Sequence, residues 1–260
     1  MDYVEIVPVA NESERIFWDY VNRDPIYYYF FIMDWTRNRE QTRIFLAIEG
    51  KEVLGSLLVF ADSIVQFRGS QAAVQKLIEC VKLDKVELQA PPDCENVILQ
   101  RFTPRVKQDL VLMRLNRGEE HHIHSVQTPA RLNVEDAEEV ASLMRRCDPE
   151  WWGKTTSEQI RQRGFQNNTL WLGIKDGKKL VSVGCTRFYF DFATNINVVA
   201  TDEHYRSRGY ATSIVSALVQ EIFQRSPIAL IHVIADNAPA VKAYSKVGFK
   251  PYKTFLSIRS

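Results

Sequence analysis

Between residues 211 and 223, seven apolar side chains, Ala211, Ile214, Val215, Leu218, Val219, Ile222 and Phe223, recur at offsets 0, 3, 4, 7, 8, 11 and 12. That period fits an α-helix with one wide apolar face. β-rich runs flank it, Asn195 to Ala200 before and Ile228 to Ala235 after. A helix set between strands buries its apolar face against a sheet, so the chain is expected to be α/β, in the mixed α+β sense.

The rest of the second half fits the same scheme. Val126 to Leu132 reads as a strand, and Asn133 as the cap of a helix over Val134 to Arg146 with Ala137, Val140, Ala141 and Met144 inward. A further helical stretch is expected at Thr156 to Phe165, and strands at Thr169 to Ile174 and Leu180 to Phe188 around the Asp176-Gly177 turn. Pro239 opens a short helix that runs to Lys246 and stops at Gly248, and Thr254 to Ile258 is a last strand.

The first half follows a similar order. Strand Tyr3 to Val9, helix Ser13 to Tyr20, an aromatic segment Tyr27 to Trp35, and a hairpin of Thr42 to Glu49 with Val53 to Ala61 come first. Helix Ser70 to Val81, strand Val86 to Ala90, a short helix from Asp93 to Phe102 and strand Asp109 to Leu115 complete it. Laying Phe249 on Phe102, an offset of 147, puts strand 230–233 on 83–86 and the helix ending at Val247 on the one ending near Gln100. With the polar run Arg117 to His124 as connector, the sequence predicts two domains, 1–120 and 125–260.

Composition narrows what such a chain can do. Its 260 residues carry 33 Lys and Arg against 32 Asp and Glu, net +1, which gives no affinity for nucleic acid or anionic lipid. Residues 1–125 hold 15 basic against 19 acidic groups (net −4) and residues 126–260 hold 18 against 13 (net +5), so an anionic ligand should prefer the second half. Cys80, Cys94, Cys147 and Cys185 match no metal or redox spacing, and His121, His122 and His124 have no carboxylate or thiol partner at a fixed offset, so no metal is expected. Asp2 and Glu5 stand where a secretory signal would be basic and then apolar, and Ile26 to Met33 is far short of the roughly 20 residues that span a bilayer. The expectation is a cytoplasmic protein with reduced thiols and no membrane partner.

The chemistry signal is the junction from Val199 to Thr212. Gly209 and Ala211 permit close backbone approach, and Ser207 to Thr212 present N–H groups at the start of the long helix. Those donors, the helix dipole, Arg206 and Arg208 form a seat for a diphosphate, or an ordinary strand-to-helix turn with solvated arginines. No Gly-Lys-Ser/Thr or dinucleotide glycine series is present.

A second run, Asp236 to Phe249, bears on that choice. Arg206, Gly209 and Ala211 meet the pattern Arg/Gln-x-x-Gly-x-Gly/Ala, and Asn237, Ala240, Tyr244, Lys246, Gly248 and Phe249 meet Asn-x-x-Ala-x-x-x-Tyr-x-Lys-x-Gly-Phe. With both runs in order, the sequence resembles the GNAT superfamily of acyl-CoA-dependent N-acyltransferases, fully over residues 125–260 and in element order alone before that. The resemblance implies two GNAT-like domains, each a mostly antiparallel central sheet flanked by helices, the first degenerate and the second catalytic.

It also implies roles. The amides of Ser207, Arg208, Gly209, Tyr210, Ala211 and Thr212 would hold the pyrophosphate of coenzyme A beside Arg206, while Val199, Ala200 and Thr201 would pair with the pantetheine arm and Asn237 would bind it. Tyr244 would protonate the departing thiolate, or be a core aromatic. Acetyl-CoA would be the co-substrate and an amine, small molecule or peptide, the acceptor. The family commonly draws its base from a glutamate on the central strands, and none occurs between Glu158 and Glu203; His232 reads as a hydrogen-bonded core residue more readily than as a base.

In the first half, Val97 and Ala90 stand at the positions of Tyr244 and Asn237, and Gln71 replaces the small residue of the phosphate pattern, so one coenzyme site is expected. One or two of Tyr27, Tyr28, Tyr29, Phe30, Phe31 and Trp35, with Trp151 and Trp152, are expected at the acceptor groove and the others in the core. The alternative to an N-acetyltransferase is a catalytically inactive coenzyme A-binding or structural protein.

Overall fold

The computed structural model describes residues 4–166, 168–188 and 190–260; the Tyr3 expected to start the first strand lies outside them. Alternation and turn chemistry set the early elements: β1 (Val4–Pro8), α1 (Asn11–Val21), α2 (Tyr29–Arg37), and a hairpin of β2 (Thr42–Glu49) and β3 (Glu52–Phe60) turning at Gly50. β4 (Ile64–Gly69), α3 (Gln71–Leu77), β5 (Glu87–Ala90), α4 (Glu95–Arg101) and β6 (Val106–Asn116) follow. Next come β7 (Ala130–Arg131), α5 (Ala137–Cys147), α6 (Pro149–Trp152) and α7 (Ser157–Gln159), the last continued as a π-helical turn over Ile160–Gly164. β8 (Thr169–Asp176), β9 (Lys179–Arg187), β10 (Thr194–Thr201), α8 (Tyr210–Ile222), β11 (Ile228–Ile234), α9 (Ala238–Val247) and β12 (Lys250–Arg259) complete the chain.

The apolar stripe read at 211–223 is the buried face of α8: Ile214, Val215, Leu218, Val219 and Ile222 are all buried. Asn133 caps the turn before α5, its Oδ1 accepting the Glu135 N–H at 3.0 Å, and Gly248 ends α9 at φ +116°. β4 is a strand that sequence reading did not mark. The expected strand Val126 to Leu132 shrinks to β7, and β5 begins at Glu87, so the stretch 83–86 that the 147-residue offset makes a strand lies before it.

The strands form one continuous sheet in the order β1-β2-β3-β4-β5-β12-β6-β11-β10-β9-β8-β7. This overturns the expectation of two GNAT-like domains, each with its own central sheet: the protein is one mixed α/β domain with twelve strands in a single sheet. The reason is that β12 and β6 lie between β5 and β11, so no sheet edge separates the halves. A similar element order in two halves of a sequence carries no information about where strand edges close.

Within that domain the residues group into two compact units, 1–111 with 253–260, and 112–252. The first unit packs α3 and α4 on its strands through Ala73, Val74, Leu77, Val97 and Ile98 against Leu57, Phe67, Leu88 and Leu256. Its aromatic segment is mostly core: Tyr28, Tyr29, Phe31 and Trp35 are buried, Tyr28 lies edge-on to Phe31, and Tyr27 stacks on Phe255 at 5.6 Å. In the second unit α5 buries Val140, Ala141 and Met144 against Val183, Cys185 and Ala200. No helix among the described residues is long and apolar enough to cross a membrane.

Candidate functional site

β10 is held on one side and released on the other. Its antiparallel pairing with β9 runs from Asn195↔Arg187 to Thr201↔Ser182, while its parallel pairing with β11 covers only Thr194↔Ala229, Asn195↔Leu230 and Ile196↔Ile231. The register against β9 shifts between Ile196 and Val198, which leaves Asn197 as a bulge. A bulge bends and twists its strand, and here strand pairing with β11 stops at the same point. Val199, Ala200 and Thr201 therefore keep β9 as a partner and have no strand pairing on the β11 side.

The loop from β10 to α8 is fixed by Asp202. This residue is 4% exposed; its N–H donates to Val181 O at 2.9 Å, and its carboxylate accepts the His204 N–H at 3.2 Å. Burial pushes the Asp202 carboxyl up, but the Lys179 ammonium at 2.9 Å, the His204 N–H and the Arg146 charge outweigh it and hold the group below its usual range. An anchor that stays ionised keeps the loop in one conformation at neutral pH.

After that anchor the backbone turns twice through the left-handed region, at Ser207 (φ +64°) and Gly209 (φ +85°), the N-cap of α8. A side chain at 209 would need a strained φ and would meet the Val126 methyls, its Cβ 3.2 Å from the nearer one, so glycine is required there. Gly209 gives α8 no side-chain cap. No acceptor among the described residues takes the backbone N–H of Ser207, Arg208, Gly209, Tyr210, Ala211 or Thr212. Ser207, Arg208 and Gly209 are exposed and Tyr210, Ala211 and Thr212 half-buried, so this row of donors lies at the surface at the positive end of the α8 dipole. Arg206 and Arg208 also tie the loop together, Arg206 Nε donating to Thr201 O at 3.2 Å and an Arg208 terminal nitrogen to His204 O at 3.1 Å.

α9 supplies the two other expected residues. Asn237 caps it: its Oδ1 accepts the Ala240 N–H at 3.2 Å, and the residue is exposed. The cap takes one lone pair of Oδ1 and leaves the Nδ2 group of that amide without a partner among the described residues. Tyr244 is 6% exposed, edge-on to Phe249 at 6.4 Å between ring centres, and burial pushes its phenol up to about 12. The proton stays on oxygen at every physiological pH.

A polar cluster sits where β10 and β11 part. Asn195, 4% exposed, donates from Nδ2 to Ile196 O at 3.1 Å and to Asn197 Oδ1 at 2.6 Å, and its Oδ1 lies 3.3 Å from His232 Nδ1. Sequence reading weighed His232 alone and could not join it to Asn195, because the link is the register Asn195↔Leu230 across parallel strands. His121, His122 and His124 do not converge on a site: His121 Nδ1 is 3.1 Å from Lys246 O, and His122 lies edge-on to His124. Among the described residues no group of three or more His, Cys, Asp or Glu is arranged to hold a metal ion.

Comparison with known proteins bears on the fold. The model of the Acetyltransferase (GNAT) family matches residues 137–249, from the start of α5 to the residue after Gly248. No curated protein matches the chain by sequence. Among solved structures, a Drosophila protein is 13% identical over 99% of each chain with TM-score 0.68, and a GNAT-family acetyltransferase from Colwellia psychrerythraea is 12% identical over 98% of this chain and 99% of its own with TM-score 0.60. A GCN5-related N-acetyltransferase from Kribbella flavida is 13% identical over 80% of this chain and 86% of its own with TM-score 0.57. The chain has the fold of the GNAT acetyl-CoA-dependent acyltransferases.

Proposed function

We propose that the protein is an acyl-CoA-dependent N-acyltransferase that moves an acetyl group from acetyl-CoA to a primary amine by direct attack, with residues 125–260 carrying the coenzyme site and the chemistry. The observation that carries this reading is the row of unaccepted N–H groups at 207–212 beside a strand edge left unpaired at 197–201. A diphosphate satisfies several such donors at once, and an extended amide-bearing arm satisfies a strand edge as another strand would. Coenzyme A joins the two in that order.

In this reading Ser207, Arg208, Gly209, Tyr210, Ala211 and Thr212 take the diphosphate while Arg206 and Arg208 add charge. Val199, Ala200 and Thr201 pair with the arm, and the Nδ2 of Asn237 donates to it. Tyr244 is the general acid. Burial makes it a weak acid alone, but the same desolvation makes a negative sulfur beside it a strong acceptor, so its O–H stabilises the leaving group and then protonates it. Proximity and orientation supply most of the remaining acceleration.

The test is thiol release from acetyl-CoA and longer acyl-CoAs over a panel of small amines and peptides. Tyr244→Phe keeps the packing and removes the O–H, so kcat should fall about 10²-fold with coenzyme affinity unchanged. An unaltered kcat, with chemistry limiting, removes the acid role. Coenzyme binding without acyl transfer to any acceptor class turns the reading into that of a binding protein.

A further inference from the structure

We infer that the first unit holds a small monovalent anion, of the size of chloride, between the side chains of Arg68 and Ser56. Every group in this site belongs to the first unit, so the site stands or falls independently of the N-acyltransferase reading.

Strand register puts the polar groups on one face of the sheet. Across β3 and β4, Ser56 pairs with Arg68 and Leu58 with Gln66; side chains alternate along a strand, so Ser56, Gln66 and Arg68 point the same way. The opposite face carries Leu57 and Phe67, which belong to the apolar cluster with Val74 and Leu77 of α3. On the polar side the guanidinium of Arg68 lies 4.2 Å over the Phe255 ring, 4.9 Å over Tyr27 and 5.6 Å over Phe31. It is enclosed between the sheet and these rings: Arg68 is 1% exposed and Ser56 fully buried.

Within that enclosure the positive charge has no counter-charge. Terminal nitrogens of Arg68 donate to Phe67 O at 2.8 Å and to Gln66 Oε1 at 2.9 Å, both neutral acceptors, and the charged or ionisable groups acting on it among the described residues are tyrosines, not carboxylates. Its Nε–H and the hydroxyl of its cross-strand partner Ser56 are buried with no hydrogen-bond partner among the described residues. The Tyr20 phenol lies beside Ser56 without completing a bond to it. A guanidinium stays protonated in proteins, and the ring faces offset only part of what burying it costs. A water molecule could fill both bonds and would leave the charge as it is. An anion accepts from the Nε–H and the hydroxyl together and cancels it. The surroundings set its size: Tyr20, Tyr28, Phe31 and Phe255 are each at most 7% exposed, so a monatomic ion enters through a transient local opening where an organic acid does not.

Sodium chloride exchanged for sodium gluconate at constant ionic strength tests this, because gluconate is too large for the enclosure. Raising chloride from about 3 to about 300 mM should lift the thermal unfolding midpoint of the wild type by several degrees along a saturating curve, and bromide should act alike. In Arg68→Met, which keeps the stem among the rings, the saturating rise should vanish. Ser56→Ala, which removes only a hydroxyl, should fold and raise the half-saturating chloride concentration about fivefold, so the test stands even if the methionine variant does not fold. Crystals grown in bromide should show an anomalous peak in hydrogen-bond reach of Arg68 Nε and Ser56 Oγ. A wild-type midpoint that does not separate chloride from gluconate overturns the inference. So does a chloride response that is the same in wild type and Ser56→Ala, or bromide peaks at surface lysines and arginines with none beside Arg68.

Discussion

Two strand-to-helix junctions of this chain start alike and end differently. Each follows a strand whose parallel pairing is three residue pairs long, Ile64↔Glu87 to Gln66↔Gln89 for β4 and Thr194↔Ala229 to Ile196↔Ile231 for β10. At the first, β4 stays paired with β3 to its last residue, Gly69 against Gly55, and Ser70 leads directly into α3. Two of the N–H groups there are taken up internally: Ser70 N–H donates to Leu54 O at 3.1 Å, and Ser70 Oγ accepts the Ala73 N–H at 3.3 Å. Beyond Gln66 the face is filled by Arg68, 1% exposed, which donates to Phe67 O and Gln66 Oε1 and lies 4.2 Å over the Phe255 ring and 4.9 Å over Tyr27. At the second junction the whole stretch 202–209 intervenes, with two left-handed residues, no side-chain cap and a row of N–H groups without acceptors. Diverging parallel strands are thus a precondition for a ligand seat. The segment between strand and helix decides how many of the donors are closed off and how many are kept.

The largest effects should come from the glycines at the two junctions. Gly209→Val should weaken coenzyme A binding at least 100-fold, about 2.7 kcal/mol, with a stability loss near 1 kcal/mol from the left-handed φ. Gly69→Val should do the reverse, because a Cβ there would sit 2.3 Å from Gly55 Cα and Leu54 O: several kcal/mol of stability lost, and unchanged affinity in whatever fraction stays folded. Calorimetric titration with thermal unfolding separates the two, and loss of affinity in a folded Gly69→Val protein would break the comparison.

Buried charge distinguishes the first unit further. Asp34, 4% exposed, has its carboxyl pushed up to about 6 by burial, offset only in part by the Asn38 amide at 2.9 Å. Its folded pKa exceeds the ordinary 3.8, so the unfolded chain ionises first as pH rises. Stability is then lost between about pH 4 and 6, and the loss is complete above that. Asp34→Asn should raise stability by up to about 3 kcal/mol at pH 7.5 and by nothing near pH 3.5, in urea unfolding at both. A constant difference across that range would show that the Asp34 carboxyl keeps its ordinary pKa in the fold. Arg68 has no carboxylate partner among the described residues, so Arg68→Met, which keeps the stem among the rings, should leave stability equal or about 1 kcal/mol higher, where Arg68→Ala lowers it. A Met variant less stable than wild type by more than 2 kcal/mol would show that the charge itself holds the closed junction.

The smallest contrast is between two helix caps. Ser70→Ala and Asn237→Ala should each cost about 1 kcal/mol, but only the second should also weaken coenzyme A binding. Equal affinity in both variants confines Asn237 to its capping role.

The legible parts of this molecule are those set by local periodicity and by residues with special backbone needs. The α8 stripe, the β2–β3 hairpin at Gly50, the Asn133 cap and the Gly248 stop all depend on near neighbours. β4 is hidden because Val65 to Gly69 reads equally as the remnant of a phosphate loop, and its strand character comes from pairing with β3 and β5. The expected strand at 126–132 fails because the Val126 N–H goes to Ser213 Oγ, at 3.3 Å, and Pro129 has no N–H to offer a neighbour, so pairing is left to Ala130 and Arg131. Of the candidate site, the glycine at 209 and the tyrosine at 244 announce themselves in motifs. The Asn195–His232 pair does not, because the two residues are 37 positions apart and meet only through strand register.

Residue-resolved amide hydrogen exchange, with and without saturating coenzyme A, decides whether the β10–α8 junction is open and the β4–α3 junction closed. Slowed exchange is expected at Ser207 to Thr212 and along Val199 to Thr201, with no change at Ser70 to Ala73. Equal protection at both junctions, or none at 207–212 while coenzyme A is bound, would contradict it.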